Sequence, residues 1–125
     1  MIRNLLLVGI GGFTGSVLRY VTYLLIDKKF TSNFLVSTMT VNVIGSLILG
    51  IIIGFSLKGN LNEQTKLLLA VGFCGSFTTF STFAFENFNL LQQRETLTSL
   101  LYIGMSVILG LIAVYVGLLI AKSIG

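Results

Sequence analysis

The sequence predicts an all-α integral membrane protein built from four membrane-spanning helices. Three observations carry that prediction. Hydrophobic residues make up 54% of the 125 and charged residues only 10%, against about 25% charged in soluble domains. Mean hydropathy is +0.98. Four mostly apolar runs are separated only by short polar connectors, and each is near the ~20 residues that cross a ~30 Å hydrocarbon core. A soluble domain this small has a large surface for its volume and needs charge to cover it. This chain lacks the charge, so its surface is expected to face lipid.

The first span reads as residues 5–26 and closes at Asp27-Lys28-Lys29. Arg3 before an apolar run has the look of an export signal. No A-x-A-like site follows and the run continues past Gly15, so retention as a membrane helix is expected. Arg19 lies within this span. An ionisable residue there is by default a functional hypothesis. Two turns from Asp27, it has equal claim to snorkel to the interface or to cap a helix terminus. The stretch from Leu5 to Ser16 looks like a strand entering a dinucleotide loop, but the third glycine of G-x-G-x-x-G is Thr14 and no second βαβ pattern follows. Gly11 and Gly15, and Gly12 and Ser16, are small pairs at four-residue spacing, the pattern of close helix packing.

The second span, residues 34–57, carries Thr38, Asn42, Ser46, Gly50 and Gly54 on one face. The glycines read as packing. Asn42 does not, because an amide near mid-span is costly in lipid without a partner. It reads either as glue between helices or as a donor to a polar path. A polar connector, Lys58 to Gln64, follows.

The third span, residues 67–91, is the most unusual. Ser76, Thr78, Thr79, Ser81 and Thr82 place five hydroxyls in seven positions, after Gly72 and Gly75. Hydroxyls compete for backbone hydrogen bonds, β-branching restricts χ1, and glycine adds freedom. A helix broken near its middle is expected. Unwound backbone at that depth is tolerated only inside protein or beside water, where freed carbonyls can hold a cation. Phe77, Phe80 and Phe83 recur every three residues. They read as core aromatics or as a stack of electropositive ring edges able to face an anion without carrying charge. Glu86 is the only acid inside a hydrophobic run. The fourth span, residues 97–121, aligns Tyr102, Ser106 and Gly110 on one face. With no Trp, Tyr20, Tyr23 and Tyr115 are the candidate interfacial anchors. All four spans form one membrane domain over residues 1–125.

Loop charge bears on orientation. Arg3, Lys58, Lys66 and Lys122 fall on one side, and Lys28, Lys29 and Arg94 on the other. Four against three is little bias under a rule that follows Lys/Arg asymmetry. It favours dual topology, with copies inserted both ways up, over a weakly oriented protein using other signals.

Familiar enzyme chemistry lacks its parts. There is no His, one Cys (Cys74), and no pair of carboxylates at depth. The pI of about 9.5 rests on few scattered charges, so nucleic acid is not an expected partner. Transport or a structural membrane role remains. Four spans are too few to enclose a sizeable path, which implies a homodimer. Exporters of the small multidrug-resistance class share this outline, but they need a carboxylate in the first span, where this chain has Arg19. A path lined by Asn, hydroxyls and aromatic edges suits a small, hard anion, which needs donors in place of its water.

Three motifs carry a resemblance over essentially the whole chain. They are Gly11-Gly-Phe-Thr-Gly-Ser-Val-Leu-Arg-Tyr20, Asn42-Val-Ile-Gly45 with Gly50, and Gly72-Phe-Cys-Gly-Ser-Phe-Thr-Thr-Phe-Ser-Thr-Phe83. The sequence resembles the Fluc (CrcB-type) fluoride channel family. The resemblance implies an antiparallel, dual-topology homodimer with two fluoride pores, each lined by both subunits, around a central structural sodium ion. It implies passive fluoride export across a bacterial inner membrane. Phe80 and Phe83 match the pore phenylalanines, and Asn42 matches the second-span asparagine. Gly75 and Thr78 match the residues whose carbonyls hold sodium. Arg19 matches the vestibule arginine. Tyr102 and Ser106 match the fourth-span polar track, which this chain ends with Gly110 where some relatives carry a further hydroxyl. Thr79 and Ser81 are expected to assist near the pore.

Overall fold

A computed structural model describes residues 1–29 and 34–124. The link at 30–33, the Lys29 side chain that enters the charge balance, and residue 125 lie outside the described residues. The described chain is helical nearly throughout: α1 (Ile2–Lys29), α2 (Phe34–Leu57), α3 (Glu63–Lys66), a π-helical stretch (Leu67–Cys74), α4 (Gly75–Phe77), α5 (Ser81–Gln92) and α6 (Thr96–Ile124). Four helical segments are long and apolar enough to cross a membrane, the third being Glu63–Gln92 as a whole. Each span's helix reaches the expected bounds or runs a few residues past them. α6, with 29 residues, is about 43 Å long, so its ends extend beyond a ~30 Å hydrocarbon core.

The spans alternate in direction. α1 and the third span climb together: Val8 and Gly11 meet Gly72, Gly15 meets Phe73, and Arg19 meets Ser76. α2 and α6 do the same, with Gly50 on Val114 and Gly54 on Ala121. Successive spans instead run opposite ways, as Tyr23–Thr38 and Asp27–Ser37 show for α1 with α2, and Asn87–Ser99 and Glu86–Tyr102 for α5 with α6. The bundle is two parallel pairs. Glycine sets their closeness: a Cβ on Gly117 would meet Ile51 N at 2.8 Å and Gly50 C at 2.9 Å, and one on Gly72 would meet Val8 O at 2.9 Å. Backbone cannot yield as a side chain does. Gly11, Gly15, Gly50 and Gly54 are therefore packing positions, whereas Gly12 has open space around it.

Two turns close helices with the same hydrogen bonds. After α2, Gly59 N–H bonds Ser56 O and Asn60 N–H bonds Phe55 O, with Gly59 left-handed at φ 77°. After α5, Arg94 N–H bonds Leu91 O and Glu95 N–H bonds Leu90 O, with Arg94 at φ 62°. Both are Schellman closures, which favour glycine at the left-handed position. The predicted connector from Lys58 to Gln64 is shorter than its polarity implied. Asn62 Oδ1 accepts from Thr65 N–H at 2.8 Å and starts α3 at Glu63.

Large apolar side chains such as Leu5, Phe13, Leu111 and Tyr115 are exposed along the outer faces, and the largest fully buried side chains among the described residues are Val41, Thr38, Ser37 and Ser99. A chain apolar outside with hydroxyls inside is arranged for lipid. This is a multi-pass membrane protein.

Candidate functional site

The third span bends at residues 78–80, between α4 and α5, inside the hydroxyl cluster. Local chemistry explains the bend. Thr78 Oγ1 donates to Cys74 O at 2.8 Å, and Ser76 Oγ to Gly72 O at 2.8 Å. Both compete for the carbonyls of the helical ladder. Thr78 is extended at φ −84°, ψ 159°. Thr79 N–H, which an uninterrupted helix would aim at Gly75 O, donates to Asn42 Oδ1 at 2.8 Å. Thr82 N–H, which would serve Thr78 O, donates to Thr79 Oγ1 at 3.3 Å, in the manner of an N-cap on α5. The Gly75 and Thr78 carbonyls thereby lose their helical donors. Carbonyl oxygens are the hard ligands an alkali cation takes, so the two residues fit the role that the resemblance gives them. Among the described residues no three His, Cys, Asp or Glu side chains come together.

A groove of about 430 Å³ runs beside the bend. Its walls are Asn42 and Ser46 of α2, Gly75, Thr78, Thr79, Phe80 and Phe83 of the third span, and Ser106 and Gly110 of α6. Among the described residues, no charged one lines it. Seven of the predicted site residues share it: Asn42, Gly75, Thr78, Thr79, Phe80, Phe83 and Ser106. The Phe80 and Phe83 ring centroids lie 6.0 Å apart with planes at 45°, and Phe80 is 78% exposed at the lip. Asn42 Nδ2 donates to Thr79 O at 3.1 Å. Its amide thus braces the bend with one N–H, and the second has no partner among the described residues. This is the glue reading of Asn42. Ser106 Oγ is buried and, among the described residues, has no hydrogen-bond partner. Phe80, the N-cap of α5, and Phe83, in its first turn, both line the same groove.

Three predicted residues stand elsewhere. Ser81 is exposed on the first turn of α5, 3.5 Å from Thr79 Oγ1. Arg19 Nε donates to Ser76 O at 3.1 Å, capping a carbonyl beside the bend, which is the terminus-capping reading. Arg19 also lines a separate groove of about 290 Å³ with Ser16, Tyr20, Tyr23, Leu24 and Asp27. Tyr102 is buried behind the first groove. Its ring lies 5.0 Å from that of Phe83, and its hydroxyl donates to Glu86 Oε1 at 2.7 Å. The other carboxyl oxygen, Oε2, accepts from Thr38 at 2.8 Å. Sequence reasoning flagged Glu86 as a lone acid but not its partners, nor the buried Asn87–Ser99 pair. The available signal was an acid and an amide side by side in an apolar helix.

A groove with an amide N–H and a hydroxyl that have no partner among the described residues, together with aromatic rings, offers donors without fixed cations. It can hold an anion loosely enough to release it. Known proteins agree with that chemistry. The family model described as CrcB-like protein, Camphor Resistance (CrcB), matches residues 6–118. The chain is 46% identical to a protein of Azobacteroides pseudotrichonymphae named Fluoride-specific ion channel FluC, over 98% of each chain. It is 42% identical to the protein of that name from Flavobacterium psychrophilum, over 98% of this chain and 99% of the other. The same figure holds for one from Methanocaldococcus jannaschii, over 99% and 98%. Because the match runs from the first span through the fourth and takes in the whole groove, the chain belongs to the CrcB family.

Proposed function

We propose that the protein is a fluoride-selective channel, not an enzyme, through which fluoride leaves the cell passively. The donor-lined groove carries this reading. Fluoride must exchange its hydration for equally directed donors. The second Asn42 N–H, the Phe80 and Phe83 ring edges and the Ser106 hydroxyl supply them in sequence, and Thr79 and Ser81 stand beside the path. Ring edges attract an anion through the quadrupole alone, so the ion is held without being trapped. In a bacterial inner membrane, with the interior negative, the field drives the anion outward and lowers the cytoplasmic level.

The working form is an antiparallel homodimer with two pores. The groove is walled on three sides by α2, the third span and α6, and Phe80 projects from its open side. A second copy, inserted the other way up, would complete each path. The third span acts as a broken helix. The Gly75 and Thr78 carbonyls from both copies would hold a central sodium ion, which supplies a fixed positive centre to the dimer. Arg19 belongs to the vestibule, and Tyr102 backs the polar track.

Fluoride efflux from liposomes carrying the purified protein tests the function, with chloride as the comparison ion. Rapid fluoride loss with chloride retained is expected. Equal passage of both ions, or ion-tight vesicles, overturns it. Proton-driven cation uptake dependent on Glu86 would instead mark a drug exporter. The Glu86 carboxyl, closed off by Thr38 and Tyr102 and lining neither groove, offers no support for that.

A further inference from the structure

A buried carboxyl in a membrane helix is expensive, and its retention calls for a reason. Glu86 and Asn87 are neighbours on α5 and both are buried. Each reaches α6 one turn from the other, Glu86 at Tyr102 and Asn87 at Ser99. Thr38 and Tyr102 both donate to the Glu86 carboxyl. The single Thr38 proton is then committed, and Tyr23, 2.5 Å away, must donate to Thr38. Hydroxyls from α1, α2 and α6 all point toward one acid.

These bonds converge on Phe83. Tyr102, its hydroxyl anchored on Glu86, lies with its ring against that of Phe83 at 5.0 Å and 56°. Asn87 Nδ2 donates to the Phe83 carbonyl at 2.9 Å, while its Oδ1 accepts from Ser99 at 2.8 Å. Phe83 is gripped at ring and backbone, whereas Phe80 stands exposed. The grip matters because an aromatic ring is positive at its edge and negative on its face. A ring free to turn would show an anion both.

We propose that Glu86 and Asn87 are positioning residues that hold the Phe83 edge toward the ion groove, Glu86 through Tyr102 and Asn87 directly. The inference rests on the fluoride-channel reading and names what sets its selectivity. Neither residue lines the groove.

The test compares Glu86→Gln, Tyr102→Phe and the double variant as full-length protein in liposomes. Fluoride and chloride fluxes are normalised to reconstituted protein that elutes as a single species. Glutamine keeps the shape but replaces one acceptor oxygen by a donor and removes the charge-assisted bonding a carboxylate gives, so the Tyr102 anchor is weakened whichever way the amide faces. Tyr102→Phe keeps the ring and removes the anchor. Each single variant is expected to reduce the fluoride-to-chloride flux ratio at least fivefold, and the double variant to do no worse than the poorer single one, because both sever the same link. An unchanged ratio in either variant overturns the proposal, as do effects that multiply. A merely structural role would lower the yield of folded protein without moving the ratio. If Glu86→Gln fails to fold, Tyr102→Phe against Ser99→Ala carries the test: both must lower the ratio, and a wild-type ratio in either overturns it. The unsubstituted protein in the same assay separates the two readings, since loss of its own fluoride selectivity sinks the channel assignment and not the clamp alone.

Discussion

Phe80 and Phe83 differ in what restrains them. Phe80 is 78% exposed, so its removal leaves the chain's own packing nearly intact. Phe80→Ile is therefore expected to stop fluoride flux in liposomes while the protein still elutes as one species; retained flux would remove the aromatic from the path. Asn42 behaves differently because it also braces the bend. Asn42→Ala strands the Thr79 N–H and O that the amide now satisfies. An unmade buried hydrogen bond costs about 1–3 kcal/mol. The variant should lose thermal stability by that order in a detergent melt and also conduct more slowly. At this scale the sequence was informative about which residues matter and silent about whom they touch. Asn42 stood out as an amide in lipid, and its partner Thr79 lies 37 residues away. Glu86 stood out as an acid in lipid, and its partner Thr38 lies 48 residues away. Type is local information; partnership is a product of packing.

The third span shows how far element-level reading goes. Its bend falls inside the hydroxyl cluster that predicted an interruption, because the competing groups are neighbours in sequence. The π-helical stretch Leu67–Cys74 had no such signal. It lies against the glycine face of α1, where the Gly11 and Gly72 backbones approach closely. The glycine face of α6 is equally strict. Gly117→Leu places a side chain against the Leu47 carbonyl and the Gly50 and Ile51 backbone. Overpacking of this kind costs about 1–3 kcal/mol or more. The variant is expected to aggregate or lose its single elution peak, whereas Gly12→Leu, with open space at the Cβ, should be tolerated in the isolated fold.

For the molecule as a whole, the four spans and their alternation were legible because hydrophobic length is set by the bilayer itself. The pairing of first with third and second with fourth was not, since small residues mark a close face without naming its partner. Orientation is the property read from the fewest residues: four cations against three. Arg94 is one of the three, and it occupies a left-handed position that costs a non-glycine residue about 1–2 kcal/mol. Arg94→Gly is expected to raise the thermal midpoint in detergent. By leaving four cations against two, it should also bias insertion, measured by labelling single cysteines placed in the loops.

The matching turn after α2 meets the same backbone demand with Gly59, which carries no charge. One corner of the bundle thus meets its backbone demand with glycine and leaves the charge to its neighbour Lys58, and the other sets its cation, Arg94, on the strained position itself. On the proposed dual topology, with heads and tails landing in equal numbers, not every corner can settle into its most comfortable residue.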